Sequence, residues 1–158
     1  MARRIFISYQ HEDQGKAKGF NLLRWNKNVD LEFVGRHLLD PVKSSDEQYI
    51  AEKVKEQLAG TSVTVVLLGH NTQESDWVAW EIAESVAKKN GILAIKIDAD
   101  VPDPSVDSVV GNALHGCGAE IVPWSPHDFE AAIERAFRAA GRAESVAATV
   151  SIAANCTR

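Results

Sequence analysis

Ser62-Val63-Thr64-Val65-Val66-Leu67-Leu68-Gly69 is the stretch on which the fold turns. A short run of β-branched and apolar residues without polar alternation predicts a strand buried on both faces, as in the middle of a parallel sheet. Gly69 ends it. Downstream, Ser75 and Asp76 are N-cap types placed just before Trp77, Val78, Ile82 and Val86. Those residues recur at three- and four-residue intervals, which predicts a helix reaching about Asn90, closed by Asn90-Gly91. Ile92-Leu93-Ala94-Ile95-Lys96-Ile97 then repeats the buried-strand pattern. Upstream, Ile50, Val54 and Leu58 are spaced by four in a helix expected from Asp46 to Leu58, with Gly60 as its stop.

The rest of the chain extends this alternation. Arg4 to Tyr9 reads as a central strand, Lys16 to Trp25 as a helix that Asp13 can cap, and Val29 to Phe33 as a weaker strand. Val34 to Ser45 is a mixed polar loop. Asp98 to Gly118 is a long segment of Asp, Pro, Val and Gly, expected to be functional or loosely ordered. Glu120 to Val122 is a short last strand, and Pro126 to Ala140 a final helix with Phe129, Ile133 and Phe137 on one face. Residues 141–158 are Ala-rich and compatible with a frayed helix, an edge strand or an oligomer contact.

Alternating strands and helices imply right-handed crossovers and an α/β fold with helices on both faces. The expected architecture is flavodoxin-like: a five-stranded parallel sheet in the order 2-1-3-4-5 within residues 1–140, followed by a tail of uncertain structure over 141–158. In such sheets ligands bind outside the carboxyl ends of the strands, near the point where the order reverses. That rule gathers Ser8-Tyr9, the Val34–Ser45 loop and the Gly69–Asp76 loop around one mouth, lined by Trp77 and Glu81 from the first turns of the third helix.

Bulk properties narrow the function. The 158 residues carry a net charge of −5, and 45% are hydrophobic. This is an ordinary globular composition with no basic block, which argues against nucleic acid or an anionic membrane as partner. No apolar run approaches the roughly 20 residues that span a bilayer. Cys117 and Cys156 form no CxxC or Cys/His cluster, so no metal site or disulfide framework is indicated, and a reducing cytoplasm is the expected location. The segment after the first strand lacks the glycines of a phosphate-cradling loop. The strand ends lack the acidic residues of a phosphoacceptor. The five histidines fall mostly in loops without ligand spacing.

Glu81 lies four residues after Trp77, so carboxylate and indole stand one turn apart on one side of the helix. Two readings are open. Glu81 is either a solvated helix residue beside core tryptophans, or a carboxylate held at a pocket rim, where partial burial perturbs it.

Phe6-Ile7-Ser8-Tyr9 resembles the first strand of TIR domains, and Asp76-Trp77-Val78-x-x-Glu81-Ile82 the third-helix motif of their NAD-cleaving members. The closer resemblance is to the TIR-like ThsB proteins of Thoeris anti-phage defence. It is carried by Lys43-Ser44-Ser45-Asp46, by Thr61 to Thr64 with Val66-Leu67-Leu68-Gly69, and by Trp77-Val78-x-Trp80-Glu81-Ile82 followed by Ser85. Arg24-Trp25 is a weaker echo. The similarity is continuous from about Arg4 to Ile97. One departure is Gln10, where many TIR domains carry arginine.

The resemblance implies an NAD+ nucleosidase or ADP-ribosyl cyclase in which Glu81 is the catalytic residue for breaking the nicotinamide–ribose bond. It further implies Trp77 as a wall against the nucleotide, and Ser8 and Tyr9 as contacts to ribose or phosphate; Trp77 and Tyr9 equally suit core positions. NAD+ enters as substrate, without a further cofactor or metal. The implied product is a cyclic ADP-ribose-type messenger, read by a separate effector protein. An infection trigger and homo-oligomer formation accompany activity. The competing expectations are a non-catalytic TIR-like binding or scaffold module, and a nucleotide sensor that binds without turnover.

Overall fold

The chain alternates strand and helix in the computed structural model, which describes residues 3–22, 33–36 and 47–150. In order these are β1 (Arg3–Ser8), α1 (Gln14–Leu22), β2 (Phe33–Arg36), α2 (Glu47–Leu58), β3 (Val63–Leu68), α3 (Asp76–Ala87), β4 (Gly91–Lys96), α4 (Val109–Gly116), β5 (Glu120–Val122) and α5 (Pro126–Val150). The sheet runs β2-β1-β3-β4-β5, and every neighbouring pair is parallel. This is the α/β parallel sheet that the two mostly apolar runs require: all six residues of β3 are buried, as are the first five of β4.

Helices cover both faces, and the alternation of side chains along β1 sorts them. Phe6 packs with Val54 and Leu58 of α2 and with Trp80 of α3, while Ile5 and Ile7 join the larger cluster that contains Phe20 of α1 and Phe129 and Ile133 of α5. Phe20 meets Trp124 and Phe129 at ring-centroid distances of 6.1 and 5.3 Å. The backbone of α5 comes so close to β4 that a Cβ at Gly91 would fall on the carbonyl of Ala136. Arg3 adds a bidentate pair to Glu134, at 2.8 and 3.1 Å, with its guanidinium over the Phe137 ring.

Several elements depart from the sequence expectation. The second strand is described over Phe33–Arg36, so Val34 to Arg36, expected as loop, pair with β1, Ile5 opposite Gly35, while Val29 to Glu32 of the expected strand lie outside the described residues. The first helix starts at Gln14 and is described to Leu22. α3 stops at Ala87, where Lys89 takes a left-handed φ of 69°, and Asn90 turns inward instead of continuing the helix. The segment expected to be loosely ordered contains α4, capped by Ser108, whose hydroxyl accepts from the amide of Gly111. The final helix continues past Ala140 to Val150. Lys43 to Asp46, Arg24-Trp25, most of the expected Val34–Ser45 loop, and Cys156 lie outside the described residues. No helix among the described residues is long and apolar enough to cross a membrane.

Candidate active site

Ser8 follows Phe6 on the same face of β1, so its hydroxyl points toward the helices that cover that face. The register pairs Phe6 with Thr64 and Ser8 with Val66, which puts Thr64 on the α3 side as well. α3 begins at its N-cap Ser75, whose hydroxyl accepts from the amide of Val78 at 3.2 Å. Trp77, Glu81 and Ser85 then stand on one edge at four-residue spacing. Their exposure falls along the helix: Trp77 is 40% exposed, Glu81 half-buried and Ser85 fully buried. The glutamate therefore sits where this edge of the helix passes from solvent into the protein.

There the Ser8 hydroxyl donates to Glu81 Oε1 at 2.6 Å. Ser8 is 1% exposed. Burial pushes the Glu81 carboxyl up to about 7, with the hydrogen bond from Ser8 acting in the opposite direction. One turn further in, Thr64 donates to Ser85 Oγ at 2.7 Å, and Ser85 donates to the main-chain carbonyl of Glu81 at 2.7 Å. Asn90 completes this buried seam through Thr61 Oγ1 at 3.0 Å and Thr64 Oγ1 at 3.3 Å. The side chain of Glu81 is thus held from the sheet, and its carbonyl by Ser85 of the same helix, which Thr64 of the sheet fixes in turn. Thr64 is a polar residue inside an apolar run, and that is the signal in the sequence that would have found the brace.

Trp77 meets Trp80 edge-on at 4.9 Å between ring centroids. Trp80 in turn is wedged against Phe6, Val54 and Leu58, so the exposed indole rests on a fixed neighbour. Tyr9 is half-buried and packs against the main apolar cluster. Among the residues singled out from the sequence, Glu81 and Ser8 touch, Trp77 flanks them one turn out on α3, and Tyr9 follows directly after β1.

The loops that follow β1 and β3 are tied together beside this group. Asp13, in the 3-10 turn His11–Asp13, lies directly over Gly69, where a Cβ would collide with its carboxylate. Thr72 accepts from the Gly69 amide at 2.8 Å and donates to Asp13 Oδ2 at 3.3 Å. Asn71 adds bonds to Glu12 at 3.0 and 3.2 Å. Burial first, then the charge of Glu12, raise the Asp13 carboxyl above the usual carboxylate range. Among the described residues no His/Cys/Asp/Glu group is arranged to hold a metal. A cavity of about 260 Å³ between β5 and α5, lined by Val122, Pro123, Phe129 and Arg135, contains none of these site residues.

The family model described as Thoeris protein ThsB, TIR-like domain, matches residues 6–102, more than half of the chain, and takes in Ser8, Thr64, Trp77, Glu81 and Ser85. A Bacillus cereus (strain MSX-D12) protein described as "Putative cyclic ADP-D-ribose synthase ThsB1" is 31% identical over 104 residues, which is 63% of this chain and 54% of that protein. The chain thus spans about half the length of this relative. Among solved structures, a Clostridium botulinum CMP N-glycosidase, BcmB, aligns at TM-score 0.49 and 13% identity over 84% of this chain and 97% of its own. A 3-dehydroquinate dehydratase-like protein from Bifidobacterium longum aligns at 0.42 and 12%, over 89% and 99%. Likenesses of that degree carry no functional weight.

Proposed function

The chain belongs to the TIR-like ThsB family of Thoeris proteins, and on that premise we propose that it cleaves NAD+ and closes the ADP-ribose into a cyclic messenger. The supporting observation is the position of Glu81. Its carboxyl is drawn inward onto a buried serine at the mouth of the sheet, while the exposed ring of Trp77 stands one turn away.

The chemistry fits that placement. When the nicotinamide–ribose bond breaks, its electron pair leaves with neutral nicotinamide and positive charge develops on the ribose. A fixed carboxylate in a water-poor setting stabilises that charge more than it does in bulk solvent, and paired glycosidase carboxylates work on the same principle. Burial, opposed in part by the Ser8 hydrogen bond, holds Glu81 near the midpoint of its titration at neutral pH. The cationic nicotinamide ring of an arriving NAD+ favours the ionised form, so substrate itself prepares the base. Once nicotinamide leaves, the same carboxylate can accept the proton of the internal hydroxyl or base that attacks the ribose. The Trp77 indole offers a flat face for a planar base. A separate protein that reads the messenger, and an active homo-oligomer, complete the proposal.

Mass spectrometry of NAD+ incubated with the protein tests it, using concentrated protein and lysate from phage-challenged cells. The expected result is a cyclised ADP-ribose isomer that disappears with Glu81→Gln. Intact NAD+ with folded, challenged protein, or equal turnover by Glu81→Gln, would sink it.

A further inference from the structure

We propose that Ser8 is a positioning residue for Glu81 and not a contact to the substrate. The proposal rests on the NAD-cleaving role of Glu81 and assigns the serine its place within it. At 1% exposure the Ser8 hydroxyl has no surface to offer a sugar or phosphate, and its proton is spent on Glu81 Oε1 at 2.6 Å. This distance is that of a charge-assisted bond from a hydroxyl to a carboxylate. Oε1 is thereby pinned toward the sheet. Oε2 is the oxygen that this bond leaves to face a ribose hydroxyl.

Three charged groups on the surrounding elements are engaged elsewhere. Lys55 of α2 pairs with Glu84 at 3.5 Å, Lys88 reaches the Thr61 carbonyl at 3.4 Å, and Arg3 of β1 is held by Glu134 on the other side of the sheet. β3 carries no charged residue. Among the described residues, burial and the Ser8 hydroxyl are the two influences on the ionisation of Glu81. Ser8 therefore does two things: it selects one carboxylate rotamer, and it keeps a carboxylate that burial disfavours available at neutral pH.

The test uses Ser8→Ala, with Ser8→Thr as the variant that restores a hydroxyl, both checked for native circular dichroism. In protein with ¹³C-labelled glutamate carboxyls and no NAD+ present, the Glu81 resonance should titrate about one pH unit higher in Ser8→Ala than in the parent. Ser8→Thr should return it toward the parent value. In turnover, kcat should fall roughly tenfold at neutral pH with KM within about twofold, and the acid limb of the pH–rate profile should move up with the carboxyl. An unmoved Glu81 titration would overturn the proposal, and so would a raised KM with kcat intact, since that marks a direct substrate contact. A shifted titration in a protein that leaves NAD+ untouched would uphold the Ser8–Glu81 coupling and overturn the NAD reading instead.

Discussion

Trp77 and Trp80 meet edge to face, their ring centroids 4.9 Å apart and their planes at 76°, yet one ring is 40% exposed and the other is wedged against Phe6, Val54 and Leu58. The pair divides labour between surface and core. Trp77→Ala should cost less than about 1 kcal/mol of stability, because a half-solvated ring loses little packing. It should nonetheless weaken NAD+ binding several-fold. Trp80→Ala should cost about 2–4 kcal/mol by opening the α2–α3 contact. Urea denaturation and ligand titration of the two variants separate these effects, and equal stability losses would refute the division.

Thr64→Val keeps the shape of a buried side chain and deletes its hydroxyl. Ser85 then loses a donor and Asn90 an acceptor inside the seam, which should cost about 1–3 kcal/mol. Activity should fall with stability, since Ser85 bonds the Glu81 carbonyl. Thermal and chemical denaturation measure the first effect, and product formation at a temperature where both proteins are folded measures the second.

The buried carboxyl of Glu81 also predicts a pH dependence of stability. Its ordinary value of 4.5 is raised to about 7 in the folded protein, so the native state binds the proton more tightly than the unfolded chain. Stability from this group is full below about 4.5 and is lost as pH rises through about 7, in total about 3 kcal/mol at most. Glu81→Gln should flatten that segment of the stability–pH curve and be more stable than the parent at pH 8 in urea melts. A parent curve that rises between pH 5 and 8 by as much as the variant's would count against the buried carboxyl.

Gly69→Ala should destabilise the protein by about 1–3 kcal/mol, because the new methyl group meets the Asp13 carboxylate that Thr72 holds in place. Asp13→Ala in the same chain should recover part of the loss. A double-mutant cycle by denaturation checks the coupling, and strictly additive losses would show that the two loops are not in contact in solution.

The parallel α/β sheet was legible because β3 and β4 are almost wholly apolar and Ser75 announces α3. Glu81 was legible as a candidate because topology alone brings the first turns of α3 to the carboxyl ends of β1 and β3. α4 was hidden in a segment of prolines and aspartates. Its one local signal is Ser108 ahead of Val110 and Leu114 at a spacing of four, and Gly111, which the helix needs because a Cβ would strike the Ser105 carbonyl, argued against it. Val34 to Arg36 were expected as loop because an edge strand takes its position from its partner rather than from its own apolar pattern. The contacts of the site were hidden for a different reason. Ser8 and Glu81 are 73 positions apart, Thr64 and Ser85 are 21 apart, and no periodicity records which hydroxyl meets which acceptor.

The Arg3–Glu134 pair joins positions 131 apart, and the helix that carries Glu134 also covers β4 on one face. A chain synthesised from its amino end makes its inner strands early and receives this cover late. Until α5 has left the ribosome, the apolar face of β3 and β4 waits without its final layer, and β1 lacks the anchor at its first residue. Nascent chains halted before Pro126 should accordingly be sensitive to protease and bound by chaperones, while those extending past the helix should be resistant.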